Sequence, residues 1–171
     1  MQNTTTKEIV ITGLSIALVF VATLFINIRL PIGQGGLIHL GNVPLFLVAI
    51  IFGKKIGAFA GAFGMGLFDL MGGWTPWAPA TFIIVGLMGY AVGVIAEKKD
   101  DFVGYALAIA VACVIKIVGY YIAEALIYGN WVQPVLSIPG NLIQIGVAAV
   151  IVLPVVTVLK KALRREVAAV K

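Results

Sequence analysis

Charge is scarce in this sequence. Of 171 residues only 11% are charged, and there is one histidine and one cysteine, Cys113. A single cysteine excludes an internal disulfide. One His and one Cys, His39 and Cys113, stand far apart, which argues against a nucleophilic dyad and leaves no Cys/His cluster for a metal. Nucleotide-binding signatures are missing as well. Gly33-Gln34-Gly35-Gly36 has neither the lysine nor the hydroxyl residue of a Walker A loop. Gly61-Ala62-Phe63-Gly64-Met65-Gly66 has no strand–helix unit around it, so it is no dinucleotide fingerprint. Enzyme activity, ATP hydrolysis by this chain alone, a bound cofactor and a metal are therefore not expected.

Apolar residues make up the balance: 61% of the chain, with a mean hydropathy of +1.11. Soluble domains carry roughly 45–50% apolar and about 25% charged residues. A soluble core of this size could not hide so much apolar surface, so the composition predicts a polytopic membrane protein. Apolar runs between charges and turn residues predict one six-helix membrane domain over residues 1–171, an all-α fold. Its spans are expected at about 9–28, 43–53, 56–73, 80–96, 102–128 and 137–159. Asn42 and Ser137 are expected N-caps, with Pro44 and Pro139 just inside, and Pro154 should kink the last helix. The second run is only about 16 Å long at 1.5 Å per residue, short of the roughly 30 Å hydrocarbon core. A re-entrant or broken segment must then line a cavity, with the glycine-rich loop of Gly33, Gly35, Gly36 and Gly41 as its lid.

Ten of the 12 basic residues fall on one side of a six-span topology: Lys7, Lys54, Lys55, Lys98, Lys99, Lys160, Lys161, Arg164, Arg165 and Lys171. The positive-inside rule then puts both termini in the cytoplasm and Trp74, Trp77 and Trp131 outside.

Ionisable residues inside spans are expensive and mark function by default. Asp69, Lys116 and Glu124 are the three that stand out. At about 100° per residue, Lys116, Tyr120 and Glu124 share one stripe of the fifth helix, joined by Cys113. An ion pair or a snorkelled lysine is the plain reading; lining a polar pocket is the functional one. Asn141 and Gln144 share a face of the sixth helix and can hydrogen-bond a polar heterocycle as donors and acceptors, or glue helices together. Trp74 and Trp77 can stack a flat ring or anchor at the interface, with Tyr121 a weaker stacking candidate. His39 and Asn42 lie at the lid and the start of the second helix. Small residues at four-residue spacing, Gly13 with Ala17 and Gly57 with Gly61, pack helices or dock a membrane partner, as Gly89 and Gly93 also could.

Leu37-Ile38-His39-Leu40-Gly41-Asn42-Val43-Pro44 and Phe68-Asp69-Leu70-Met71-Gly72-Gly73-Trp74 carry a resemblance. The chain resembles the S components, the substrate-binding membrane subunits of energy-coupling factor (ECF) vitamin transporters, and is most similar to the hydroxymethylpyrimidine/pyridoxine branch. That resemblance implies a subunit of an ABC importer in the prokaryotic plasma membrane. It would bind a vitamin or precursor from outside, associate with a transmembrane coupling protein and two cytoplasmic ATPases, and topple in the bilayer to release its cargo inward. It also implies that a small-residue motif of the first helix, commonly AxxxA and here Gly13-x-x-x-Ala17, meets the coupling protein. Substrate would be held by His39, Asn42, Asp69, Trp74, Trp77, Lys116, Tyr120, Glu124, Asn141 and Gln144. Two other classes remain open on the residues: a self-sufficient proton-coupled secondary transporter, with Asp69 or Glu124 carrying the proton, and a non-transporting membrane scaffold.

Overall fold

The structure is a computed structural model and describes residues 2–29 and 37–169. Helix α1 (Gln2–Phe25) leads into a short antiparallel pairing of β1 (Asn27–Arg29) with β2 (Leu37–His39), Asn27 opposite His39. Then come α2 (Asn42–Phe52), α3 (Lys54–Met71), α4 (Ala78–Lys98), α5 (Phe102–Tyr128), a 3₁₀ turn at Gln133–Ser137, and α6 (Ile138–Ala169). The glycines at 33, 35 and 36, expected to form a lid, lie outside the described residues.

Among the described residues four helices are long and apolar enough to cross a membrane: α1, α4, α5 and the 3₁₀ turn with α6. Their outward faces carry large apolar side chains, such as Ile9, Leu14 and Leu18 on α1 and Leu107, Val114 and Val118 on α5, all exposed. A bilayer accepts that surface as water would not.

The two remaining helices differ for identifiable reasons. Helix α3 carries Lys54, Lys55 and Asp69. Helix α2 has only 11 residues, but Leu45, Phe46 and Ala49 are wholly buried, with Val48 and Ile50 nearly so. It sits at the centre of the bundle, against α1, α3, α4 and α6. A helix that is apolar all round belongs in an interior. Its central place answers the short second run: most of α2 is covered by protein, with only the Val43, Leu47 and Ile51 stripe part-buried and Phe52 exposed at its end.

The first and last helices run past the apolar stretches that suggested them. Helix α1 begins at Gln2 rather than Ile9, because nothing in its polar first turns breaks a helix. It ends at Phe25 because the Asn27 amide folds back to donate to the Thr23 and Leu24 carbonyls. Helix α6 extends to Ala169, ten residues beyond the expected end at 159. Neither predicted side-chain cap forms. Gly41 is the N-cap residue of α2, Asn42 is already helical, and Ser137 closes the 3₁₀ turn. In both cases the polar side chain is taken by a partner on another helix instead.

Helices α3 and α4 meet at backbone distance. A Cβ on Gly89 would come within 2.1 Å of the Gly57 carbonyl oxygen, and one on Gly61 within 2.5 Å of the Val85 carbonyl oxygen. The docking role expected of Gly57 and Gly61 is thereby corrected. Both are buried in this internal crossing, where small size admits the neighbouring backbone. Gly13 and Ala17 face outward, and among the described residues nothing lies within 4 Å of a Cβ on Gly13.

A single residue, Gly53, joins α2 to α3. Its φ of +89° is a conformation L side chains rarely adopt. The Glu97 carboxylate seals this end, accepting the Lys54 backbone N–H at 3.1 Å and its ammonium at 2.7 Å. Asp100 takes both Tyr105 and Lys160 nearby, tying the start of α5 to α6. The tryptophan-bearing turns lie at the opposite end of these helices.

The crossing makes a direct prediction. Gly89→Ala overpacks α3 against α4 and should cost roughly 1–3 kcal/mol, read as a lower melting temperature in detergent. Gly13→Ala should leave the melting temperature unchanged or slightly raised, since Ala favours a helix.

Candidate functional site

Helix α5 supplies the floor of the site. Its stripe places Lys116 in the interior, 2% exposed, with Tyr120 one turn on. The Lys116 ammonium donates to the Gln144 side-chain oxygen at 3.0 Å and lies 5.8 Å from the Tyr120 ring centre. That same Gln144 oxygen faces the Asn42 amide at 3.5 Å. Three helices, α2, α5 and α6, are thus joined by one amide.

A second polar chain crosses from α3 to α5. Thr81 on α4 donates its hydroxyl to Asp69 at 2.5 Å, and the Tyr120 hydroxyl lies 2.9 Å from Thr81. With the Thr81 proton committed to the carboxylate, Tyr120 is the donor to Thr81. Asp69 is 9% exposed. Its backbone carbonyl accepts the Trp74 N–H at 2.9 Å, which closes the turn after α3 and brings Trp74 back over the helix end. Trp77 follows at the N-cap of α4, and the two indoles meet edge to face with centres 5.4 Å apart.

These elements line a partly open pocket bounded by His39, Asp69, Trp74, Trp77, Lys116, Tyr120, Asn141 and Gln144. One cation, one carboxylate, two amides, a phenol and two indoles converge on it, so a flat polar ring can find donors, acceptors and an aromatic wall together. His39 reaches the pocket from β2, where its Nδ1 accepts the Gly41 N–H at 3.3 Å and the ring proton is left on Nε2. Burial, reinforced by the Lys116 ammonium, holds the His39 imidazole well below its usual pKa.

Eight of the ten residues expected at the site therefore share one pocket. Asn42 and Glu124 do not line it. Asn42 is fully buried behind Gln144, and among the described residues its buried Oδ1 has no hydrogen-bond partner. Glu124 is 4% exposed and accepts the Ser137 hydroxyl at 2.6 Å rather than the Lys116 ammonium. Tyr121, considered for stacking, donates its hydroxyl to the Trp131 carbonyl at 2.8 Å, away from the pocket. Trp131 is itself 58% exposed.

Two residues of the network were missed. Thr81 sits one turn after Trp77 on α4, a signal the sequence offered but which an isolated threonine does not advertise. Ser137 looked like a helix cap and in fact satisfies Glu124.

Comparison with known proteins follows the same lines. Residues 3–161 match the family described as ECF-type riboflavin transporter, S component. The thiamine precursor transporter HmpT of Lactococcus lactis subsp. cremoris is 26% identical over 151 residues, spanning 88% of this chain and 86% of its own. A solved S component of a bacterial ECF transporter superposes with a TM-score of 0.72 at 21% identity, covering 98% of this chain and 99% of its own. ThiT of Listeria monocytogenes gives 0.70 at 22% identity, covering 91% and 97%. At such identities the two structures speak for the fold alone.

Two outcomes are expected. Thr81→Val removes the hydroxyl between Asp69 and Tyr120 while keeping its shape. Stranding buried polar groups should lower stability by about 1–3 kcal/mol, seen in thermal melts. For His39, an imidazole with a depressed folded-state pKa binds its proton more readily when unfolded. Its stabilising effect is complete above the ordinary histidine pKa of about 6.5 and is lost as pH falls below it. Melting temperatures recorded from pH 7.5 to 5.5 should fall more steeply for the parent protein than for His39→Gln.

Proposed function

The chain belongs to the family of ECF-type transporter S components, and from that premise we propose that its pocket takes a vitamin precursor with a single polar aromatic ring, hydroxymethylpyrimidine or pyridoxine. The family role is that of the substrate-specific, vitamin-binding subunit, a multi-pass helical membrane protein that works with a coupling module. The choice of cargo rests on one observation: Lys116 with Gln144, and Asp69 with Thr81 and Tyr120, present opposite charges to the same pocket beneath Trp74 and Trp77. A neutral ring bearing hydroxyl and amino groups meets both partners, whereas an anionic ligand meets Asp69 as a repulsion. HmpT, by its name a transporter of a thiamine precursor, supports the same choice.

In this reading the ring enters at the tryptophan-bearing end, from outside the cell, and stacks against Trp74 or Trp77. Asn141 and Gln144 supply amide contacts, Lys116 donates to a ring nitrogen or hydroxyl, and Asp69 accepts from an amino or hydroxyl group. His39 closes the pocket from β2. The cytoplasmic side docks the coupling protein along α1, where Gly13 lies in a largely apolar groove with Ile56 and Phe59 and Ala17 is exposed one turn on. Two cytoplasmic ATPases drive release, and the membrane is the prokaryotic plasma membrane.

Calorimetric titration of the purified protein with hydroxymethylpyrimidine, pyridoxine and riboflavin tests the reading. Saturable binding of one of the first two is expected. Lys116→Met and Asn141→Ala should each weaken it, the lysine change by about 10- to 100-fold, since a hydrogen bond to a charged group contributes about 1.5–3 kcal/mol. Riboflavin binding in place of both smaller rings, or full affinity in Lys116→Met, would overturn it.

A further inference from the structure

Helices α5 and α6 leave an apolar groove between them. Small residues line it: Ala106, Ala110 and Cys113 on α5, and Gly146 and Ala149 on α6. It measures about 440 Å³, where about 150 Å³ already takes a benzene ring. None of its lining residues lines the substrate pocket. Both helices are long and apolar enough to cross a membrane, and Ala110 and Gly146 are exposed, so the groove opens to lipid. From Leu142 to Leu153 on α6 it runs about 16 Å at 1.5 Å per residue. That is about the depth of one leaflet of a hydrocarbon core roughly 30 Å thick. Left empty, its walls would forfeit the contacts that a close neighbour provides.

One end of the groove is basic. At about 100° per residue, Lys160 continues the face of α6 that carries Leu153. Its ammonium lies 5.4 Å from the centre of the Tyr105 ring, next to Ala106, and pairs with Asp100 ahead of α5. Lys160 therefore stands at the cytoplasmic end of the groove. An ammonium carries three donors, more than one carboxylate oxygen uses. Lys161 follows, exposed and without an ion pair among the described residues. Arg164 and Arg165 come next in the sequence. The acids nearby are already engaged: Asp100 takes Lys160 and Tyr105, and Asp101 accepts the Gly104 N–H at 2.7 Å. A helix of another protein would answer the apolar walls alone. A lipid tail joined to an anionic head answers the walls and the basic end together.

We propose that the groove between α5 and α6 binds an anionic phospholipid of the cytoplasmic leaflet, with one acyl chain laid between the helices and its phosphate beside Lys160 and Lys161. The proposal is independent of what the substrate pocket holds. The small residues let the tail approach both helix backbones closely. Choice among lipids comes from charge, since basic side chains at the membrane surface favour an anionic head over a zwitterionic one.

The test places the full chain in phosphatidylcholine nanodiscs with a trace of phosphatidylglycerol that carries a photoactivatable diazirine in one acyl chain. Light attaches the probe to whatever lies beside that chain, and peptide mass spectrometry reads the labelled stretches. Residues 102–114 and 142–153 should be labelled several-fold more than α1, whose Ile9, Leu14 and Leu18 are also exposed. Excess unlabelled phosphatidylglycerol should compete that labelling away. Gly146→Leu fills the groove, since among the described residues nothing lies within 4 Å of a Cβ there. It should bring the labelling down to the level of α1. Should that variant not fold, Ala110→Leu fills the groove from the α5 side. Lys161→Gln should lower labelling by the phosphatidylglycerol probe about fivefold and leave labelling by a phosphatidylcholine probe unchanged. Labelling no stronger than on α1, equal labelling by the two probes, or labelling indifferent to the filled groove overturns the proposal. A disulfide joining Cys113 of two copies in the same nanodiscs gives the groove to a second chain and overturns it as well.

Discussion

Inside a bilayer a polar group has no water to turn to, and each one left unsatisfied costs several kcal/mol. That constraint organises this molecule. The polar side chains of its inner halves are gathered rather than scattered: Asn42 to Gln144, Gln144 to Lys116, Tyr120 to Thr81, Thr81 to Asp69, and Ser137 to Glu124. The chains run between helices, so the groups that need partners also define how α2 to α6 stand around a common space. The pocket is where these chains stop.

Close approach of backbones makes that gathering possible. Lipid tails are as apolar as leucine, so helices in a membrane are held by contact rather than by escape from water. Gly57, Gly61 and Gly89 let α3 and α4 touch main chain to main chain, and that crossing carries Asp69 and Thr81 within one hydrogen bond of each other. Helix α2, short and mostly buried, fills the middle and brings Asn42 up to Gln144. The Gly53 link and the Glu97 cap let it turn into α3 without spending more chain.

Much of this was legible in order and little of it in direction. Helical periodicity placed Lys116, Tyr120 and Glu124 on one stripe, and the structure keeps them there. It could not say that the stripe changes neighbours along its length, facing Gln144 at Lys116 and Ser137 at Glu124. Small-residue spacing flagged Gly57 and Gly61 together with Gly13 and Ala17, yet the pattern is the same whether the face points inward or outward. Asn42 and Ser137 carried good capping signatures, and both lost that role to partners 102 and 13 residues away, at Gln144 and Glu124. Local propensity yields where a buried partner offers more. Thr81 went unnoticed because its meaning lies wholly in its two neighbours from other helices.

The way the charges are paired carries the strongest hint about ligand chemistry. Among the described residues the two direct ion pairs, Lys54–Glu97 and Lys160–Asp100, lie at the basic end, where water and headgroups are near. In the pocket the pattern differs. Lys116 is met by an amide and Asp69 by a hydroxyl. A lysine and an aspartate locked together would satisfy each other and offer a ligand little. Held apart by neutral partners, the two groups stay unpaired with each other at one pocket, and one lysine with one carboxyl leaves the site close to electrically balanced. A neutral molecule with donors on one edge and acceptors on the other can enter such a site without stranding either charge. A ligand of strong net charge would leave one of them opposed by a like charge, or the other without a counterpart. On the proposed reading, a preference for a polar, uncharged ring would follow from how two chains of hydrogen bonds end, before any contact with the ring itself.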